Sequence, residues 1–135
     1  MTLSSFRGRA VLLLFFPQAF TRVCTQELCS IRDNIGQYEE VNAQVLGISV
    51  DSVFTLAKFR ELQGFNFPLL SDFNKTVARA YGCLCEHWIL DMEGVAKRSA
   101  FIIDREGLVR YVEILEDAGK EPDFAAISGI LKQIC

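Results

Sequence analysis

The sequence predicts an α/β fold with a central mixed sheet flanked by helices. Three observations carry that reading. Ala10 to Phe16 is a short, unbroken apolar run, the pattern of a strand covered on both faces. Strand-like runs then alternate with segments of helical period, as in βαβ units. A turn signal, Asp104-Arg105-Glu106-Gly107, separates two late strand-like runs and predicts an antiparallel addition. The 135 residues are enough for one core, so residues 1–135 are expected to form a single domain.

The elements follow in order. Val11 to Phe16 is the first strand. A helix is expected from Arg22 to Asn34, because Cys24, Leu28, Ile31 and Ile35 recur on one face and Gly36 can stop it. Ala43 to Val50 reads as the second strand. Ser52 can cap a helix running to Gln63, with Val53, Leu56 and Ala57 inward and Gly64 behind it. Phe67-Pro68-Leu69-Leu70 is extended. Asn74 or Asp72 opens a helix that Gly82 closes after Tyr81. Residues 83–96 show no clear period and are expected to form a loop. Ser99 to Asp104 and Leu108 to Leu115 form a hairpin. Pro122 suits a first helical turn, and Ile127, Ile130, Leu131 and Ile134 mark the inward stripe of a last helix. This order matches the thioredoxin architecture.

Composition excludes several classes. Half the residues are hydrophobic and 23% are charged, which rules out wholesale disorder. The net charge is −3 and the basic residues are scattered, so nucleic acid is not an expected partner. The first apolar run is far short of the ~20 residues of a membrane span. Pro17 ends that run with no small-x-small site behind it, unlike a secretory signal. Five cysteines, an odd number, argue against a secreted disulfide scaffold and for redox chemistry in a cytoplasmic protein.

Cys24 sits just inside a helix that follows a strand. Free amides and the helix dipole stabilise negative charge there, and the thiolate is the nucleophilic form. On position alone Cys24 could equally be a small core residue. The stretch Pro17-Gln18-Ala19-Phe20-Thr21-Arg22-Val23-Cys24 resembles the P-x-x-x-S/T-x-x-C signature of the peroxiredoxins, which are thiol peroxidases. Further resemblances follow in order: Glu27, Gly47 to Ser52 (GISVDS), Phe67 to Asp72 (FPLLSD), Tyr81-Gly82, and Arg98 with Phe101 to Asp104. They span roughly residues 5 to 115.

The resemblance implies a thioredoxin-like fold and a set of roles. Cys24 would be the peroxidatic nucleophile. The Thr21 hydroxyl would reach its sulfur and a peroxide oxygen. Arg98 would stabilise thiolate and developing charge, helped by the amides of Val23 and Cys24. Pro17 would cover the site, and Glu27 would orient arginine. Taken singly, Thr21 also fits a helix cap, Arg98 a strand-start charge, and Glu27 a first-turn acid. The family implies a hydroperoxide substrate, with thioredoxin, glutaredoxin or a small thiol as reductant and no cofactor or metal. A monomer or homodimer is expected. The other reading is a peroxide-sensing or chaperone-like switch that uses the same cysteine without efficient turnover.

Cys24 to Asp33 is similar to the bacterioferritin comigratory protein branch, in which a cysteine five residues on resolves the sulfenic acid. That implies Cys29, with Cys83 and Cys85 as alternatives and an external thiol also open, as in the alkyl hydroperoxide reductase E type. Residues five apart on an intact helix have Cα atoms about 8–9 Å apart. A disulfide needs less than ~7 Å, so pairing Cys24 with Cys29 requires local unwinding. Cys135 ends the chain and could form intermolecular bridges. Cys83-Leu84-Cys85-Glu86-His87 lacks zinc-site spacing, no C-x-x-C is present, and nothing places His87, the sole histidine, beside Cys24. Two departures stand out. Ala100 replaces a common threonine, and the branch's usual N-terminal segment before the stretch matching Leu3 to Arg9 is expected to be truncated or absent.

Overall fold

The computed structural model describes residues 2–134. Its centre is a five-stranded mixed sheet of β1 (Ala10–Phe15), β2 (Ala43–Ser49), β3 (Leu69–Ser71), β6 (Ser99–Ile103) and β7 (Val109–Ile114). Their order is β3-β2-β1-β6-β7. β1 pairs in parallel with β2, and β2 with β3. β6 runs antiparallel to β1, and β7 antiparallel to β6. The antiparallel part therefore begins at β6 itself, one strand earlier than a parallel core with an added hairpin strand would place it.

β1 is buried at all six positions, which is why it reads as a continuous apolar run rather than an alternating one. Its side chains still divide between the faces. Leu12 and Leu14, with Phe16 beyond them, pack under α1 (Arg22–Asp33), α2 (Ile35–Glu40), α3 (Val53–Gln63) and α5 (Phe124–Ile134). Val11, Leu13 and Phe15 face α4 (Thr76–Ala80) and a small sheet of β4 (Leu84–Cys85) and β5 (Val95–Ala96).

Several local expectations need correction. Gly36 does not stop the first helix: α1 breaks at Asn34, and Gly36 lies inside α2. In α3, Ser52 Oγ accepts from Thr55 N–H and Gly64 adopts φ 64°, as expected of the caps. Its inward face, however, is Leu56 and Phe59; Val53 and Ala57 are exposed. α4 begins at Thr76 behind Lys75 and not at Asp72 or Asn74, although the Asp72 carboxylate accepts from the amides of Val77 and Ala78 at 3.0 and 2.7 Å. Residues 83–96 are not all loop, since β4 and β5 pair within them and a 3-10 turn spans Ile89–Asp91. Pro122 precedes α5 instead of entering it, and Asp123 Oδ1 caps the helix by accepting from Ala126 N–H at 3.0 Å. Among the described residues no helix is long and apolar enough to cross a membrane.

Candidate active site

The site lies where β1 gives way to α1. Phe16 N–H still bonds to the Ile48 carbonyl at 3.0 Å, and the chain then leaves the sheet at the buried Pro17. Phe20 takes a left-handed φ of 66°, uncommon for a bulky residue. Its ring rests on Phe59 with centroids 4.8 Å apart, a contact that helps hold the bend. Thr21 is the residue before the helix. Thr25 N–H bonds back to the Thr21 carbonyl at 2.9 Å, so the amides of Val23 and Cys24 precede the first helical bond.

Cys24 is 1% exposed, and its sulfur accepts from Arg98 Nη2 at 3.0 Å. The same guanidinium donates through Nη1 to Glu27 Oε1 at 2.8 Å and through Nε to the Ala118 carbonyl at 3.1 Å. Arg98 and Glu27 are 2% and 0% exposed. Helical spacing puts Cys24 and Glu27 on one face of α1, and the start of β6 brings Arg98 to both. Burial pushes the Glu27 carboxyl up from 4.5 to about 7, with Arg98 pulling the other way and Glu121 adding to the rise. For Arg98, burial opposes the charge, but Glu27 and Cys24 more than offset it, so its affinity for the proton rises.

The other expected residues fall as follows. Thr21 Oγ1 donates to the Gln18 carbonyl at 2.8 Å, and its proton is not directed at the Cys24 sulfur. Its side chain does not cap α1 either. Cys29 is half-buried on α1, its thiol facing Gln63 Oε1 at 3.7 Å. Cys24 and Cys29 are both free thiols here. Cys83 is fully buried on the opposite face of the sheet, where burial raises its thiol pKa. Cys85 belongs to β4 and donates to the His87 carbonyl at 3.1 Å. Cys135 lies outside the described residues. Among the described residues, no cluster of three His, Cys, Asp or Glu side chains could hold a metal ion.

One positioning group had no role assigned from sequence. Asp51 Oδ2 accepts from Ala19 N–H at 2.8 Å and from Ser49 Oγ at 2.6 Å, tying the loop before α1 to the end of β2. Ser71 Oγ donates to the Asp51 carbonyl at 2.6 Å, adding β3 to the brace. The signal was present in the GISVDS and FPLLSD stretches.

A thioredoxin-type sheet with a buried cysteine at the first turn of a helix, bonded to a buried arginine, defines a class of thiol-based redox proteins. The chain belongs to the AhpC/TSA family, whose model matches residues 1–112, and is a peroxiredoxin. It is 40% identical to alkyl hydroperoxide reductase E of Mycobacterium tuberculosis over 117 residues, covering 84% of this chain and 73% of that one. Peroxidoxin BcpB from Mycobacterium tuberculosis superposes with a TM-score of 0.82 at 36% identity, over 98% of this chain and 85% of that one. The bacterioferritin comigratory protein of Xanthomonas campestris gives 0.88 at 28% identity, over 100% and 84%.

Proposed function

We propose that this peroxiredoxin reduces hydrogen peroxide or organic hydroperoxides through Cys24. The observation that carries the reading is the 3.0 Å contact from Arg98 Nη2 to the Cys24 sulfur, made between two buried side chains. A fixed cation at that distance favours the thiolate and the negative charge that develops on the peroxide oxygens. The sulfur pair attacks the terminal peroxide oxygen and the O–O bond breaks. Cys24 becomes a sulfenic acid, and the remaining oxygen leaves as water or an alcohol after taking a proton.

Thr21 acts at the mouth of the site, where rotation of its hydroxyl away from Gln18 lets it bond the sulfur or a peroxide oxygen. Pro17 shields the sulfur, and Glu27 holds the Arg98 fork in place. Cys29 is the resolving thiol. Because it shares α1 with Cys24, the first turns of α1 unwind so that the two sulfurs can meet. Thioredoxin, glutaredoxin or a small thiol then reduces the disulfide. The protein works in the cytoplasm as a monomer or homodimer.

The test is peptide mapping of fully reduced protein after one equivalent of hydrogen peroxide. A Cys24–Cys29 bridge is the expected product, and Cys24→Ser removes peroxide consumption. Sulfenic or sulfinic acid at Cys24 without a bridge assigns resolution to an external thiol. A reduced Cys24 in the presence of persisting peroxide defeats the reading. Repeated turnover with a recycling thiol separates an enzyme from a sensor, which stays oxidised.

A further inference from the structure

Arg98 is one buried cation facing two acids, Cys24 and Glu27, on the same face of α1. If both acids ionise, the pocket holds a net negative charge away from water. If neither does, the guanidinium is buried without a counterion. Both arrangements are costly, and one negative charge is the balanced state. A second observation shows where the spare proton resides. Glu27 Oε1 is bonded to Arg98, whereas Glu27 Oε2 is fully buried and has no hydrogen-bond partner among the described residues. An ionised carboxylate with an unpartnered buried oxygen is disfavoured, and Glu121 adds repulsion from the loop before α5. Glu27 therefore holds its proton unusually tightly.

We infer that, in the reduced protein, the Cys24 thiolate carries the single negative charge facing Arg98 while Glu27 holds a proton, and that Glu27 releases that proton as Cys24 is oxidised. This rests on the peroxidase reading of Cys24. The step balances: Cys24 thiolate, protonated Glu27 and ROOH give Cys24 sulfenic acid, Glu27 carboxylate and ROH. The sulfur pair forms the S–O bond, the O–O bond breaks, and the alkoxide takes up one proton as Glu27 releases one. Arg98 keeps one counterion throughout, passing from sulfur to carboxylate. Glu27 is thus a positioning residue that acts through Arg98.

The experiment counts protons. Reduced protein near pH 6, where folded Glu27 keeps most of its proton, in weak buffer with an indicator dye receives one equivalent of hydrogen peroxide. The wild type is expected to take up close to no protons per Cys24 oxidised. Glu27→Gln has no proton to release, so it is expected to take up one. A wild type that consumes peroxide with uptake of one proton overturns the charge exchange and leaves the peroxidase reading standing. So does a Glu27→Gln protein that reacts without uptake. A wild type that consumes no peroxide fails the peroxidase reading and this inference together. Should the variant not fold, infrared difference spectra of the wild type decide the matter. A carboxylic acid band in the reduced protein that disappears on oxidation is expected, and its absence overturns the exchange.

Discussion

Arg98 uses three of its nitrogens at once, and each contact restrains a different part of the site. Nη2 holds the Cys24 sulfur, Nη1 holds Glu27, and Nε holds the carbonyl of Ala118. A lysine keeps the charge but offers one point of contact in place of a planar fork. The cost of this arrangement appears at Glu27. Its carboxyl is raised from 4.5 to about 7 by burial, against the pull of Arg98. Below about 4.5 the group is protonated whether the chain is folded or not. Between there and about 7 only the folded chain keeps the proton, so this residue's contribution to stability falls as pH rises through that window. The full effect is on the order of 3 kcal/mol. Denaturant unfolding at a series of pH values is expected to show this decline in the wild type, and Glu27→Gln is expected to flatten it. An equal slope in both proteins would contradict the assignment.

At the scale of elements, the site depends on how the end of β1 is fastened to the end of β2. Asp51 does this by accepting from the amide of Ala19 and the hydroxyl of Ser49. Asp51→Ala removes both bonds and leaves the buried Ser49 hydroxyl without its acceptor, at a cost of roughly 1–3 kcal/mol. The loop that carries Pro17 and Thr21 then loses its anchor. Peroxide reduction is expected to fall about tenfold or more while the far-ultraviolet circular dichroism stays unchanged, because the sheet and helices keep their own hydrogen bonds. Wild-type rates in this variant would show that the loop is held by other contacts. The octet ending in Cys24 was legible in sequence because it lies on one continuous segment. Asp51 and Ser71 lie in the GISVDS and FPLLSD stretches, but the brace spans 32 residues to Ala19, so its partner could not be read from either stretch.

At the scale of the molecule, the sheet separates two cores with different neighbours. The core under α1, α2, α3 and α5 contains Cys24, whereas the core under α4 contains Cys83. Phe59 is a central piece of the first. It is fully buried and packs on Phe16, Phe20 and Phe65, at centroid distances of 6.4, 4.8 and 5.1 Å. Phe59→Ala is expected to destabilise the fold by about 3–5 kcal/mol in urea unfolding. It should also slow peroxide reduction in protein that is still folded, since Phe20 loses the ring that supports its left-handed backbone. A loss under about 1 kcal/mol would mean that the core closes around the gap.

The sequence by itself determined the α/β class, the order of the long elements and the position of Cys24 at a helix start. Each of these rests on period, capping or a contiguous motif, which are local properties of the chain. The two-residue strands β4 and β5 escaped notice because strands that short have no period to detect. In α3 the expected Leu56 is buried, but Val53 and Ala57 are exposed and Phe59, three residues on from Leu56, takes the inward place because it joins the ring cluster of Phe16 and Phe65. Only the tertiary structure decided the electrostatics of the site. Arg98 is 74 residues from Cys24 and 71 from Glu27, and the pairing of β6 with β1 brings them together away from water. Whether an arginine, a glutamate and a cysteine are surface groups or a buried charge system depends on desolvation. Desolvation is a property of the surroundings that folding assembles, so the resemblance could name Arg98 for Cys24 and Glu27 as a group that orients arginine, but only the fold showed all three buried and in contact.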